Sequence, residues 1–428
     1  MSGTAPKTTL VLISGEFPSR TGDYSFIRTE IDELSSRFDR VLLYSFRPLE
    51  GEVAELPSNV DYVGALSETP RRGSFLALRS PQRLAAALQS LVREARSGRM
   101  RGHVPLTFGN VLTGLRFARA IVRGLHAAGT ASRDQVSVYS FWGSHGALAL
   151  PFLPASFRRV VRLHRFDLYE GAGGRLPLRA SIFGSVDALV SISEDGRRYL
   201  IEHFGHLIPD GALSVVRLGT EDHGLGPVLP PLASRGEREP IRVVSCSSVI
   251  DVKRVDSLVP ALERLAVERP VLWTHFGSGK DMPRLVAACR VARARTPRLE
   301  IDLRGHTDNR DVIGYYRDTP VDVFVNVSES EGVPVSIMEA LSFGIPVVAT
   351  DAGGTSEIVG EALGSGALLA RDPSAAEVSG ALHAVARDRE ALDPRAVWER
   401  LSDARVWAAR MADVLVSAAG RSADGKTH

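Results

Sequence analysis

The chain is expected to fold as two α/β domains, each a parallel sheet covered by helices on both faces. Three observations carry that expectation. The 428 residues exceed one ordinary domain, at roughly 150 residues per domain. Short apolar runs alternate with stretches of helical spacing. The alternation stops once, at 224–240, and then restarts. That interval reads GLGPVLPPLASRGEREP, rich in Pro, Gly and charge, and reads as a linker.

In the first half, strands are expected at Thr9–Ile13, Arg40–Phe46, Gln135–Phe141, Val160–Leu163, Ala188–Ile192 and Ser214–Leu218. Helices are expected at Ser25–Arg37, Pro81–Arg96, Gly114–Leu125 and Asp195–Phe204. In the second half, strands are expected at Ile241–Ser245, Val271–Phe276, Leu299–Leu303, Val321–Val327, Pro346–Ala349 and Ala367–Leu369. Its helices are expected at Ser257–Val267, Pro283–Arg293, Asp311–Tyr316, Pro334–Phe343, Ser356–Val359 and Ala375–Ala386. Two such halves imply a cleft lined by strand carboxyl ends, where open α/β sheets bind ligands. The tail, Pro394–Gly420, reads as helix and is expected to pack across both domains.

Composition excludes several classes. With 44% hydrophobic and 24% charged residues, the chain is not disordered. A net charge of +2 gives no sign of a nucleic-acid partner. Two cysteines, Cys246 and Cys289, make no disulfide framework and fit a reducing, cytoplasmic location. The run Leu10–Ile13 is too short for a signal-peptide core, and no run of about 18 apolar residues would span a membrane.

The near-neutral total hides an asymmetry. Between Arg71 and Arg123 stand eleven arginines opposed by Glu94 alone, a local +10 that leaves the remainder at −8. Leu76, Leu84, Ala87, Leu88, Leu91 and Val92 give part of this segment an apolar face. Two readings are open: a basic amphipathic surface for an anionic membrane, or a solvated arginine face with leucines in the core.

The strongest chemical signal is Ser328–Ala340, SESEGVPVSIMEA, which leaves an apolar run and opens a helix. Pro334 suits a helix start because its missing N–H is an orphan there. Backbone N–H groups of Gly332, Val333 and Val335 would face anions or hydroxyl oxygens. Glu331 and Glu339 lie about two turns apart and could bind hydroxyl pairs at two depths. The plain alternative is a capped helix with an acidic first turn.

Weaker signals accompany it. Asp351–Glu357, DAGGTSE, carries a Gly-Gly that lets backbone approach a ligand closely, or is a simple turn. Cys246–Arg254 ends in Lys253 and Arg254, able to neutralise a diphosphate or to form a solvated basic turn. Gly15–Asp23 could cradle a phosphate or an acceptor through Arg20, Thr21, Gly22 and Asp23, but it is not GxGxxG. His164 follows a strand and could bond a sugar hydroxyl or phosphate, or be structural. Asp-x-Asp, the P-loop pattern and metal-ligand spacings are absent, so no metal is expected. A leaving diphosphate would then be stabilised by Lys, Arg and helix N-termini.

Together these motifs resemble retaining glycosyltransferases of the GT-B fold, family 4. The Glu-x7-Glu pattern falls on Glu331 and Glu339. Residues 346–359, Lys253, Arg217-Leu218-Gly219 and the tail helix are also similar to the family, over about residues 9 to 420. Glu331–Ser336 and Cys246-Ser247-Ser248 look closest to members that build bacterial cell-surface polysaccharides.

The resemblance implies two Rossmann-like domains facing across a cleft, with a C-terminal helix crossing back. It implies an acceptor domain at 1–223, a linker at 224–240, a nucleotide-sugar domain at 241–393 and crossing helices at 394–420. Glu331, His164 and Lys253 would be catalytic. Glu339, Gly332, Val333, Pro334, Val335, Arg254, Ser248, Gly305 and His306 would bind the donor. Gly22 stands near the family's glycine-rich first loop. Two positions depart from the family pattern: Ser248 stands where many members have Arg, and Thr21-Gly22-Asp23 replaces a Gly-Gly pair.

The implied activity is metal-independent transfer, with retention, from a UDP- or GDP-sugar. The acceptor would be a saccharide, a lipid-linked molecule or a small metabolite, and no cofactor is expected. The chain would work in the cytoplasm, with membrane contact through Arg71–Arg123 and no nucleic acid. A nucleotide-sugar epimerase and a non-catalytic partner subunit are the alternatives.

Overall fold

A computed structural model describes residues 7–20, 22–71, 80–131, 134–170 and 176–416. The chain divides into two compact units, Met1–Val216 with Arg405–His428, and Arg217–Ala404.

Among the described residues, the first unit holds a seven-stranded parallel sheet in the order β3-β2-β1-β4-β5-β6-β7. The strands are β1 (Thr8–Ser14), β2 (Arg40–Ser45), β3 (Val60–Ala65), β4 (Gln135–Ser140), β5 (Arg158–Leu163), β6 (Ala188–Ser191) and β7 (Leu213–Val215). Leu10 to Ile13 are buried on both faces, so β1 reads as a continuous apolar run. Helices α1 (Tyr24–Arg37), α2 (Pro81–Arg96), α3 (Val104–Ala127) and α4 (Glu194–Phe204) complete the alternation.

Besides the short helices Arg165–Leu168 and Arg179–Phe183, which were not expected, two longer elements depart from the sequence reading. Strand β3 was not expected, because its sequence VDYVGA lies half exposed at the sheet edge and breaks the apolar run. Helix α3 starts ten residues before the expected Gly114. Pro105 sits in its first turn, where a missing N–H costs nothing, and its outward Val104, Leu106 and Phe108 mask the periodicity.

A buried ion pair braces this unit. Arg162 on β5 donates to Glu30 of α1 at 2.6 Å and to the Val216 carbonyl at 3.0 Å.

Among the described residues, the second unit holds six parallel strands in the order β10-β9-β8-β11-β12-β13. They are β8 (Ile241–Cys246), β9 (Val271–Phe276), β10 (Leu299–Gly305), β11 (Val323–Asn326), β12 (Val347–Thr350) and β13 (Gly366–Leu369). Its helices are α5 (Leu258–Glu268), α6 (Met282–Arg295), α7 (Asn309–Asp318), α8 (Val335–Ser342), α9 (Ala375–Arg387) and α10 (Pro394–Leu401). The expected helix Ser356–Val359 is instead a 3-10 turn at Gly353–Glu357.

Residues 224–240 lie within this second unit. Arg235 is buried there and grips Asp322 with two bonds of 2.6 and 3.1 Å, so the Pro-rich interval is anchored at its end.

The expected tail helix is two helices, broken at Ser402 and Asp403. Thr220 and Asp403 form an isolated parallel bridge, and Trp398 Nε1 donates to Thr220 Oγ1 at 2.8 Å. Helix α10 belongs to the second unit. Helix α11 (Ala404–Val416) leaves it at its first residue and belongs to the first. There Ser137 Oγ donates to the Leu415 carbonyl at 3.2 Å, and Arg158 donates to that of Val414 at 2.8 Å. No described helix is long and apolar enough to cross a membrane.

Candidate active site

In each sheet the strand order reverses once, and a ligand site is expected beyond the carboxyl ends of the two strands that flank the reversal. In the second unit these are β8 and β11. The loop after β8 carries Lys253, and the loop after β11 carries Glu331. Lys253 Nζ lies 2.5 Å from Glu331 Oε1, so one ion pair ties the two loops together.

Asn326, the last residue of β11, donates to the same Glu331 oxygen at 3.2 Å. Its own side-chain oxygen accepts from the Ser328 N–H at 2.9 Å. Glu331 is thus held by a cation and an amide while its residue is 6% exposed. Pro334 is the N-cap of α8, one position earlier than a first-turn role. The N–H groups of Gly332 and Val333 meet no acceptor among the described residues. They stand with the start of α8 as a set of donors for an oxygen-rich ligand.

The Gly-Gly turn fixes this loop from behind. Gly354 N–H donates to the Gly332 carbonyl at 2.7 Å. Gly353 has φ +58°, and a Cβ there would lie 2.0 Å from the Glu331 carbonyl oxygen. Only glycine permits that approach.

Glu339, in the second turn of α8, is buried and accepts from Asn309 Nδ2 at 2.7 Å. Burial pushes its pKa up to about 7 against the lowering effect of that bond. Cys246 is electrostatically close: burial first, then Glu339, push its thiol up to about 12.

The remaining expected donor residues fall in two groups. Gly305 ends β10 with φ +69° and accepts from Gly277 N–H at 2.7 Å, and exposed His306 follows it toward α7. Ser248 is exposed, on a stretch that packs tightly on the turn after β9. A Cβ at Gly277 would lie 1.9 Å from the Ser247 carbonyl oxygen. Arg254, expected beside Lys253, has its guanidinium committed elsewhere. It donates to the carbonyls of Val327 and Arg371 at 2.9 and 2.5 Å and pairs with Asp372 at 3.1 Å. It therefore staples three loops together. Arg217 pairs with Glu357 at 2.5 Å.

In the first unit the reversal lies between β1 and β4, and a cavity of about 340 Å³ opens there. Its lining includes Gly22, Asp23, Phe46, Arg47, Trp142, His145 and Phe166. Asp23 does not face outward with free oxygens. Its carboxylate accepts from the N–H groups of Gly15, Glu16 and Phe17 at 2.6–3.0 Å and from Trp142 Nε1 at 3.0 Å. It is the knot that shapes the loop. Arg20 is exposed, pairs with Glu52 at 3.2 Å and is not among the lining residues. Thr21 lies outside the described residues, as do Arg72, Leu76 and Arg79.

His164 is buried between Phe141 and Trp142, with ring centroids 4.6 and 4.4 Å away. Neither ring nitrogen finds a hydrogen-bonding partner among the described residues. Burial and the nearby Arg162 hold its pKa well below the usual histidine range, so the ring is neutral at pH 7. Its backbone N–H donates to Asp167 at 2.6 Å, and Gly143 N–H donates to the other Asp167 oxygen at 2.5 Å. A buried polar ring with two unused nitrogens is costly unless something else bonds it.

Sequence reading missed Asn326, Asn309 and the aromatic lining of the first cavity. Asn326 had a legible signal, a lone amide ending a buried strand. Trp142 and His145 follow the β4 strand as His164 follows β5, and could have been found by the same rule.

Comparison with known proteins bears on the family of the second unit and on the fold. Residues 240–388 match the family described as Glycosyl transferases group 1. A curated relative is the GtfA subunit of the UDP-N-acetylglucosamine–peptide N-acetylglucosaminyltransferase of Streptococcus gordonii. It is 25% identical over 168 residues, 39% of this chain. The match spans 30% of that protein's length. Among solved structures, sucrose-phosphate synthase from Thermosynechococcus elongatus aligns with a TM-score of 0.65 at 15% identity, covering 97% of this chain and 100% of that one. The lipopolysaccharide outer core galactosyltransferase WaaB, in its apo form, gives 0.64 at 15%, covering 96% and 100%. Anabaena Alr3699/HepE, solved with UDP, gives 0.59 at 15%, covering 96% and 100%. The α/β fold of the chain is that of GT-B glycosyltransferases.

Proposed function

We propose that this chain, which carries a Glycosyl transferases group 1 domain at residues 240–388, moves a sugar from a UDP- or GDP-sugar to an acceptor hydroxyl with retention. The observation that carries the reading is the Lys253–Glu331 pair across the β8/β11 reversal, with buried Glu339 on the helix that the Glu331 loop opens. In this reading the donor's diphosphate takes over Lys253, whose cation stabilises the departing phosphate charge in place of a metal. Glu331, released, accepts hydroxyls of the transferred sugar, and the N–H groups of Gly332 and Val333 donate to it. Glu339 accepts the ribose hydroxyls. Arg254 acts by position, holding the Lys253 loop against Val327.

The two glutamates are not the acid–nucleophile pair of a glycosidase. One is paired with Lys253, and the other stands eight residues on, within α8, bonded to Asn309. The first unit would supply the acceptor cavity and the neutral His164. The acceptor is a saccharide, lipid-linked or small-molecule alcohol in assembly of a cell-surface polysaccharide or glycolipid. Contact of Arg71–Arg123 with an anionic membrane belongs to the same reading, at the inner face of a plasma membrane.

The test is donor turnover. The purified chain is offered UDP- and GDP-sugars with and without candidate acceptors, with EDTA present, and free nucleotide is measured. UDP-sugars come first, because the HepE structure holds UDP. Release of UDP or GDP, abolished in Glu331→Ala, is expected. No release from any donor, with no thermal shift on adding any nucleotide, would overturn the reading.

A further inference from the structure

The cavity of the first unit has walls of one kind. Beyond the carboxyl ends of β1 and β4, Ile13, Phe26, Phe46, Trp142 and Phe166 line about 340 Å³ of space. That volume is at the small end for a ligand site. Phe166 is 56% exposed, an aromatic ring left in water two residues after buried His164. The Trp142 and His164 ring centroids are 4.4 Å apart, so one wall of the cavity touches the neutral imidazole. A single exposed phenylalanine needs no explanation. One that joins three other aromatic side chains, Phe26, Phe46 and Trp142, around a cavity marks a surface kept for a ligand.

The polar side chains of the lining are committed within the protein. Ser14, Ser140 and Ser144 are buried. Ser14 Oγ shares its proton between the carbonyls of Phe17 and Tyr44, at 2.9 and 3.2 Å, and Ser140 Oγ donates to that of Trp142 at 2.7 Å. Asp23 accepts two N–H groups on each oxygen. Arg47 and Glu16 neutralise each other at 2.6 Å. Ser144 Oγ bonds His145 Nδ1 at 2.9 Å. Among the described residues, His145 Nε2 and the outer N–H groups of Arg47 are left to meet a ligand. His145 is held in an unusual backbone state: its φ is +47°, in the left-handed region that residues with a Cβ rarely adopt. Its ring packs on Phe46, with centroids 4.4 Å apart. Burial and then the Arg47 cation lower its pKa, so the ring is neutral at pH 7. A strained residue kept at the lining of a cavity points to a role toward a ligand.

We propose that the acceptor is an uncharged ring alcohol, a hydroxyl on an aromatic or fused apolar body, seated against Phe46, Trp142 and Phe166 with His145 Nε2 bonded to its oxygen. The proposal rests on the transferase reading and narrows its acceptor to the small-molecule alcohol. A saccharide carries a hydroxyl on nearly every carbon. In this cavity most of them would lose water without gaining a partner, which weakens binding. An acyclic chain loses more freedom on being ordered than a rigid ring of the same area. A ring also meets the surrounding aromatic side chains face to edge or offset, the arrangements that add to burial. The Arg47–Glu16 pair presents no net charge, so the cavity asks for neither an anion nor a cation.

The experiment is equilibrium dialysis of the full chain against 2-naphthol, octanol and cellobiose, each with and without UDP. Saturable binding of 2-naphthol at one site is expected, at least about tenfold tighter than octanol or cellobiose. Phe166→Ala should weaken it about tenfold and keep the wild-type melting temperature, because the ring it removes is largely in water. His145→Gly should weaken it about fivefold and still fold, because glycine takes a positive φ freely. In steady-state turnover with 2-naphthol as acceptor, Phe166→Ala should raise KM more than it lowers kcat. No binding of 2-naphthol in either condition, equal or tighter binding of cellobiose or octanol, or wild-type affinity in either variant would overturn the proposal. Nucleotide release with cellobiose as the productive acceptor and none with 2-naphthol would overturn it while leaving the transferase reading intact. No release from any donor, with 2-naphthol still bound in a Phe166-dependent way, would strike the transferase reading and leave the apolar ring site standing.

Discussion

Lys253 Nζ sits 2.5 Å from Glu331 Oε1, and the two residues reach each other from loops that leave β8 and β11. The pair is partly shielded, with the lysine side chain 21% and the glutamate 7% exposed. Removing the glutamate should leave the fold intact, because Lys253 can still reach water. Glu331→Ala is expected to cut donor turnover by about a hundredfold or more, in line with loss of one charged contact made at the reacting centre. Ser336→Ala, on the outer side of α8, should change it less than about threefold. Steady-state release of free nucleotide measures both, and equal rates for the two variants would remove Glu331 from the site.

Glu339 gives a pH dependence whose sign can be worked out. Burial raises its folded pKa to about 7, above the ordinary carboxyl value of 4.5. The folded state therefore holds a proton that the unfolded state has lost between these two values. Stability falls as pH rises from about 4.5 to about 7 and levels off above, by roughly 3 kcal/mol in total. Asp167 contributes a slope of the same sign, since burial raises it to about 7 as well. Urea melts of the wild type and Glu339→Gln across this range isolate the Glu339 part. The variant should show a shallower decline, and parallel curves would place the Glu339 carboxyl in a wetter setting. Donor affinity should run the other way, rising through pH 7 as the carboxylate forms.

Gly353→Ala should be one of the most disruptive single-atom changes in the second unit. It combines a positive φ with a Cβ only 2.0 Å from the Glu331 carbonyl oxygen. A loss of about 2–4 kcal/mol is expected in chemical denaturation. Gly380→Ala, on α9 with open space around it, serves as the control and should be neutral or stabilising. If Gly353→Ala matched that control, the contact between the Gly-Gly turn and the glutamate loop would be wrong.

In the first unit, Glu30→Ala strands the buried Arg162 guanidinium. The cost should be about 3–5 kcal/mol, whereas Glu30→Leu/Arg162→Met should cost far less because no charge is left unpaired. Denaturant midpoints of the two variants and the wild type make the comparison. The double variant also tests His164, which Arg162 depresses after burial does.

Much of this was legible from residue order, because parallel strands buried on both faces leave apolar runs that alternation cannot disguise. Glu331, Lys253 and Gly353 could be placed because they follow such runs, and Glu339 because it stands eight residues after Glu331 in the helix that the Glu331 loop opens. Strand β3 stayed hidden because Asp61 and Gly64 interrupt an edge strand that buries only part of itself. Arg254 could not be separated from Lys253, since adjacent basic residues differ only in which loops they meet; its left-handed backbone turns it toward Val327. Asp23 was read as a ligand residue for the same reason: sequence shows a carboxylate in a loop but not the N–H groups it ties. On α2, Ser90 and Glu94 are buried beside Ala87 and Leu91, and only the fold reveals that these polar residues share the packed face.

The most direct test of the central claim is calorimetric titration of UDP and GDP into the wild type, Glu339→Gln and Lys253→Ala. The account predicts that one nucleotide binds the wild type at a single site, and that each substitution weakens it by about tenfold or more, consistent with loss of a charged hydrogen bond. Wild-type affinity in both variants, or no heat from either nucleotide with the intact chain, would contradict it.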